Sequence, residues 1–170
     1  MGQKFKVVFL SEQGDLRSFV ITWAYQCGEK LREHWSIDSP LVRAIEFLLS
    51  PQGIFYKSRL VWAGDDALPE LEGVNFYDIG DMYENRYKRY YQLLPAELPE
   101  YRFIVNHTKR MYVDKLNNGI HPLPLLTYQS ESDEYDGQGK DLCRTWAKDI
   151  ISMENFVPAH YEELKCSFTA

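Results

Sequence analysis

About six short runs rich in β-branched and aromatic residues, most of them separated by compact turn signals, restrict this chain to a sheet built largely from sequence neighbours. Residues 5–10 (FKVVFL) and 18–25 (SFVITWAY) flank Ser11–Asp15, with Gly14 as turn chemistry, and read as a hairpin. Period-two spacing puts Phe19, Ile21, Trp23 and Tyr25 on one strand face. Residues 58–63 (SRLVWA) are a third strand, ending at Gly64-Asp65-Asp66. Residues 101–105 and 109–114 form a second hairpin turning at Asn106-His107-Thr108. The segment 142–153 favours a strand at its Ile150-Ile151 end, and Leu164, Cys166 and Phe168 alternate with polar residues as a last strand does.

Against this stands one well-marked helix. Ser39 suits an N-cap and Pro40 the first helical position. Leu41, Ile45, Leu48 and Leu49 then form an apolar stripe, and Pro51 and Gly53 stop it. A second helical period runs through Phe76, Ile79, Tyr83, Tyr87, Tyr90 and Leu94. The prolines of His121-Pro-Leu-Pro-Leu-Leu predict an extended segment. Residues 128–141 are polar and read as a mobile surface loop. The expectation is an α+β fold: an antiparallel β-sheet with one or two helices packed on one face, in a single globular domain spanning 1–170. Trp23, Ile45, Leu48, Trp62, Phe103, Trp146 and Leu164 form its predicted core. At 170 residues such a domain buries enough surface to fold without a disulfide or metal.

Composition narrows the function. The net charge of −6 argues against a general nucleic-acid binder, which needs surplus Lys and Arg on one face. Three cysteines without CxxC spacing read as reduced thiols of a cytoplasmic protein. No signal-peptide pattern and no membrane-spanning apolar stretch is present, so the Asn106-His107-Thr108 sequon reads as coincidence. The chain holds no P-loop, Rossmann, nucleophile-elbow or zinc signature; neither metal nor cofactor is expected.

What remains is a set of short polar blocks, each with two readings. Asp65 and Asp66 after a buried strand could bind a cation or act as acid and base, or simply make a turn with local side-chain bonds. Asn106-His107-Thr108-Lys109, with His121 downstream, could supply a general base, or only a hydrogen-bonded hairpin tip. The Tyr/Arg/Lys run 83–91 could stack on a nucleotide, or be the solvated face of an amphipathic helix. Trp146-Ala-Lys148-Asp149 and Glu33-His34-Trp35 could be structural anchors. Because catalytic and binding groups gather at strand ends and loop tips, Trp62, Asp65, Asn106, His107, Lys109 and His121 are expected to converge on one ligand-binding face, with Trp62 stacking on the ligand.

The blocks VWAGD (61–65), IVNHTKRMYVDK (104–115), HPLPLLT (121–127) and TWAKDIIS (145–152), together with residues 2–34, resemble an uncharacterised family of bacteriophage and mobile-element proteins of gut bacteria. The resemblance spans nearly the whole chain and carries no established activity. It implies a cytoplasmic accessory protein of phage origin, of a kind that often acts on host defence or host enzymes. Two departures stand out. In the family VWAGD continues into Tyr-Ala-Asp, where this chain has Asp66-Ala67-Leu68. The family's glycine-rich loop after HPLPLLT is here TYQSESDEYDGQGKD, which weakens any backbone anion cradle. Two functions follow: a binding protein that sequesters a small ligand or blocks a host protein, or a small hydrolase or nucleotide-processing enzyme using Asp65 and Asp66 with His107 or His121.

Overall fold

A computed structural model describes residues 3–25, 27–70, 73–82, 88–89 and 98–169. Its order is β1 (Phe5–Leu10), β2 (Leu16–Val20), α1 (Pro40–Leu48), β3 (Ser58–Gly64), α2 (Phe76–Met82), β4 (Lys88–Arg89), β5 (Phe103–Asn106), β6 (Met111–Asp114), α3 (Pro122–Thr127), β7 (Tyr128–Gln129), β8 (Ile150–Glu154) and β9 (Glu162–Glu163). The strands form one mixed, mostly antiparallel sheet in the order β4-β2-β1-β3-β8-β5-β6-β9. The α+β class read from the sequence is the class observed.

β1 sits near the middle and is buried along its whole length. Its alternate residues feed two cores. Phe5, Val7 and Phe9 join Leu60 and Trp62 of β3 beneath α1 and α3. Val8 and Leu10 join Phe19, Val61 and Ala63 beneath Phe76 and Ile79 of α2. The sheet is thus covered by helices on both faces, where the sequence predicts cover on one. Within the expected second helix stripe, α2 covers Phe76–Met82, and Lys88–Arg89 pairs as a strand with β2. The Tyr83, Tyr87, Tyr90 and Leu94 positions, and most of the 83–91 run, lie outside the described residues.

α1 begins as its sequence demands: the Ser39 hydroxyl accepts the Val42 backbone N–H, with Pro40 in the first turn. The two predicted hairpins form, β1–β2 and β5–β6. Three expectations change. Residues 122–127 are helical, not extended. Both prolines fall within the first turn of α3, where backbone N–H groups have no helical partner to lose. Trp23 lies in a short 3-10 turn after β2 and is 60% exposed, because the strand stops at Val20. Residues 128–141 are tied down: Ser130 and Ser132 donate to Asp66, Arg144 pairs with Asp133, and Tyr135 is buried against Trp35 and Phe168. The last predicted strand pairs only at Glu162–Glu163, yet Leu164, Cys166 and Phe168 still turn to the core. Ile45, Leu48, Trp62 and Trp146 are buried as predicted; Phe103 and Leu164 are half-buried.

Leu48 is fully buried in the main core. Leu48→Ala should cost about 2–5 kcal/mol by urea unfolding. An unchanged transition midpoint would contradict the packing of α1. The three thiols are unpaired, and burial pushes Cys143 and Cys166 up to about 11. A denaturing, non-reducing titration should return three thiols, while at pH 8 the native protein should react more slowly at buried Cys143 and half-buried Cys166, whose raised thiols hold little thiolate, than at Cys27. Equal native rates at all three would show that the burial of Cys143 and Cys166 is wrongly described.

Candidate functional site

The six residues expected to converge are distributed over three places. Trp62 is fully buried, and its indole N–H donates to Nδ1 of His34 at 3.0 Å. It therefore offers no face to a ligand, which corrects the stacking role. His121 is also fully buried. Its Nδ1 accepts the Leu123 N–H as the N-cap of α3, and its Nε2–H donates to Glu46 at 2.7 Å. Asp65 lies at the far end of β3. It is six residues from Arg59, whose level His107 shares through the Ile150 carbonyl, so the two are separated by roughly 20 Å of strand. Its carboxylate accepts the Lys4 N–H, and Asp66 accepts Ser130 and Ser132. The Asp65–Asp66 pair closes a turn and does not meet His107.

Asn106 and Lys109 do meet, around Asp149. Asn106 is fully buried, accepts the Lys109 backbone N–H, and donates to an Asp149 oxygen at 2.8 Å; the Lys109 ammonium reaches the same oxygen. Thr108 accepts the Ile150 N–H. These bonds pin the β5–β6 hairpin tip onto the segment before β8. The Asp149 of the TWAKD block is the anchor.

Of the six, His107 lines a cleft. Antiparallel pairing brings the ends of β1 and β5 and the starts of β2, β3 and β8 to one edge of the sheet. A cleft of about 440 Å³ opens there, lined by Leu10, Glu12, Arg17, Lys57, Ser58, Arg59, His107 and Ile150. Three cations face one carboxylate in a chain whose net charge is −6. Among the described residues no carboxylate lies within ion-pair distance of Arg17, Lys57 or Arg59. Arg17 rests over the Phe55 ring, and Arg59 donates to the Glu12 and Lys148 carbonyls at 2.9 and 3.0 Å. These contacts orient both guanidinium groups without neutralising them. Lys57 has φ +56°, a left-handed conformation that disfavours any residue with a Cβ other than Asn or Asp.

Behind the cleft runs a hydrogen-bonded chain. His107 contacts the Tyr161 hydroxyl through Nδ1 at 3.0 Å and the Ser152 hydroxyl through Nε2 at 2.7 Å. Ser152 and Tyr56 both donate to one oxygen of Glu154, at 2.8 and 2.7 Å. Burial, and secondarily the bond to Glu154, pushes the Tyr56 hydroxyl up to about 12, so it stays a donor. The second Glu154 oxygen is buried without a hydrogen-bond partner. Sequence reasoning finds His107 but misses Arg17, Lys57, Arg59, Ser152 and Glu154. Lys57 and Arg59 flank Ser58 two residues apart, but nothing local links them to Arg17 or to β8. Among the described residues no three His, Cys, Asp or Glu side chains cluster as a metal site, and no helix is long and apolar enough to cross a membrane.

No family model, no curated protein and no solved structure matches this chain.

The buried histidines set the pH response. Burial, against its bond to the Gly28 carbonyl, pushes His34 down to about 4, and burial also lowers His121. Burial would raise the Glu46 carboxyl, but the His121 bond and the Lys115 charge outweigh it and hold it below the usual carboxylate range. Unfolded imidazoles bind protons below about pH 6.5 that these folded ones refuse, so stability should rise with pH between about 4 and 6.5. His34 accounts for about 3 kcal/mol of that rise. The Glu46 contribution is present above its unfolded value and is lost in stronger acid. Unfolding free energies measured from pH 4 to 8 test this; a flat profile between 4 and 6.5 would contradict the burial of His34.

Proposed function

We propose that the chain acts by binding, as an accessory protein of the phage or mobile-element kind, and that a small anionic ligand occupies the cleft at the sheet edge. The observation that carries this reading is an excess of positive charge that, among the described residues, no carboxylate pairs. Arg17, Lys57 and Arg59 gather around a concavity with Glu12 as its single lining carboxylate. Like charges brought together without counter-ions repel, so such a cluster raises the energy of the empty protein and is relieved when an anion enters. The volume suits a small molecule, near the lower part of the usual range of roughly 300–1,000 Å³. Lys57 adds a second argument. A lysine held at positive φ strains the backbone by about 1–2 kcal/mol, where Asn would sit more easily. The strained residue is part of the cleft wall.

The hydrolase alternative draws no such support. It needs Asp65 or Asp66 beside His107 or His121, and these groups have other partners: Lys4 and two serines for the aspartates, and Glu46 for His121.

The test is thermal unfolding against a panel of phosphate, nucleotide and polycarboxylate salts at constant ionic strength, with chloride as control. At a hundredfold excess over Kd a specific ligand should add about 2.7 kcal/mol, or roughly 5–10 °C for a domain of this size. Lys57→Asn should weaken binding at least about tenfold, since a hydrogen bond to a charged group contributes about 1.5–3 kcal/mol. Its ligand-free midpoint should be unchanged or higher. No anion-specific shift in the wild type, or a variant that loses stability but keeps its affinity, would end this reading.

A further inference from the structure

The described histidines that make ring hydrogen bonds differ in what they can do with a proton. In His34 the Nδ1 atom faces the Trp62 indole N–H, and in His121 it faces the Leu123 backbone N–H. Neither donor can turn into an acceptor, so a second proton on either ring would point at another hydrogen. Both rings are locked neutral. His107 has a hydroxyl on each nitrogen, Tyr161 on Nδ1 and Ser152 on Nε2. A hydroxyl can donate or accept. In the neutral ring Tyr161 donates to Nδ1, Nε2–H donates to Ser152, and Ser152 donates to Glu154. When Nδ1 gains a proton, the Tyr161 hydroxyl rotates to accept it and every other bond stays in place.

His107 also lines the basic cleft. The groups facing it are Lys57 before β3, Ser152 and Glu154 of β8, Tyr56, and Tyr161 before β9; Arg17, Arg59 and Glu12 complete the cleft wall. Burial first, then the Lys57 ammonium, hold the empty-site imidazole below its ordinary value, against the pull of Glu154. An anion seated against Lys57 cancels that repulsion and attracts a proton from solvent, with a strength that scales with the charge it carries.

Resting on the anion-binding reading above, we propose that the cleft takes a doubly charged oxyanion of the phosphomonoester or sulfate type, and that His107 takes up one proton at Nδ1 as it binds. The bound site then sets four cations, Arg17, Lys57, Arg59 and His107, against the ligand and Glu12.

Sulfate is the probe of choice, because it stays a dianion from pH 5.5 to 8.5 and any pH dependence belongs to the protein. Calorimetric titration at constant ionic strength should show wild-type affinity rising by up to about tenfold per pH unit as pH falls through the imidazole range. His107→Gln should bind with an affinity flat across that range. In the wild type at pH 7, the His107 ring resonances should move to protonated positions on saturation with sulfate, a readout that needs no variant. Glycerol 3-phosphate binding tighter than sulfate would support an organic phosphomonoester, and equal affinity the bare oxyanion. No sulfate binding at any pH would overturn the cleft reading itself. Sulfate binding that is flat with pH in the wild type, or an unmoved His107 resonance, would overturn proton uptake and leave the cleft. Nitrate binding as tightly as sulfate would overturn the preference for a dianion.

Discussion

The antiparallel ladder between β1 and β3 runs through six residue pairs, from Phe5 opposite Gly64 to Leu10 opposite Arg59, and the rest of the molecule is arranged around it. Both strands are covered on both faces, so each residue's neighbour along the chain looks into a different core. A one-residue slip would exchange the two sets and put Phe5, Phe9 and Trp62 beneath the smaller helix α2. The edge of β3 away from β1 is divided. Its start pairs with β8 at Ser58 and Arg59, and its end pairs with β7 at Trp62 and Ala63. Gly64 permits the second pairing, because a Cβ there would meet the Gln129 carbonyl oxygen at 2.7 Å.

That ladder gives the sheet two ends of different character. At one end Asp65 and Asp66 are used up in tying β3 to Lys4 and to the segment after β7. At the other, the same antiparallel order gathers Arg17, Lys57 and Arg59 around a cleft whose lining holds one carboxylate, Glu12, and among the described residues none of the three is ion-paired. Many buried polar groups between them are partnered, although one oxygen each of Glu46 and Glu154 is not. Glu46 accepts from both Lys115 and His121 beneath α1. Trp62 and His34 complete one another, and Asp149 collects Asn106 and Lys109. Removing one member of such a set leaves its partner buried and unpaired, so these residues specify the fold. The cleft cations are the contrasting case: oriented by carbonyls and a ring, but left charged.

Much of the secondary structure was legible along the chain. The Ser39-Pro40 start of α1, its Leu41–Leu49 stripe, both hairpins and β3 are encoded by residues within a few positions of each other, and caps, turns and periodicity are local physics. The errors were local too. Prolines at 122 and 124 suggested an extended segment, since a sequence reading could not see that His121 caps the turn ahead of them. Trp23 continued a strand pattern that the chain abandons at Val20. The acidic stretch 128–141 looked free because its partners, Asp66, Trp35 and Phe168, lie some 30 to 100 residues away.

The candidate site was hardly legible at all. His107 was named from its block, but Trp62, Asp65 and His121, named beside it, point into a core, a turn and a helix cap. A residue type and its spacing along the chain state which chemistry is available; they do not state which groups meet. Meeting is settled by strand register and by which strands become neighbours. Leu10 opposite Arg59, Arg59 opposite Ile150 and Asn106 opposite Ile151 are pairings between residues 45 to 91 positions apart. Local rules thus specified the α+β class and most of its elements, whereas the basic cleft and the Tyr161–His107–Ser152–Glu154 chain exist because long-range pairing set five strand ends side by side.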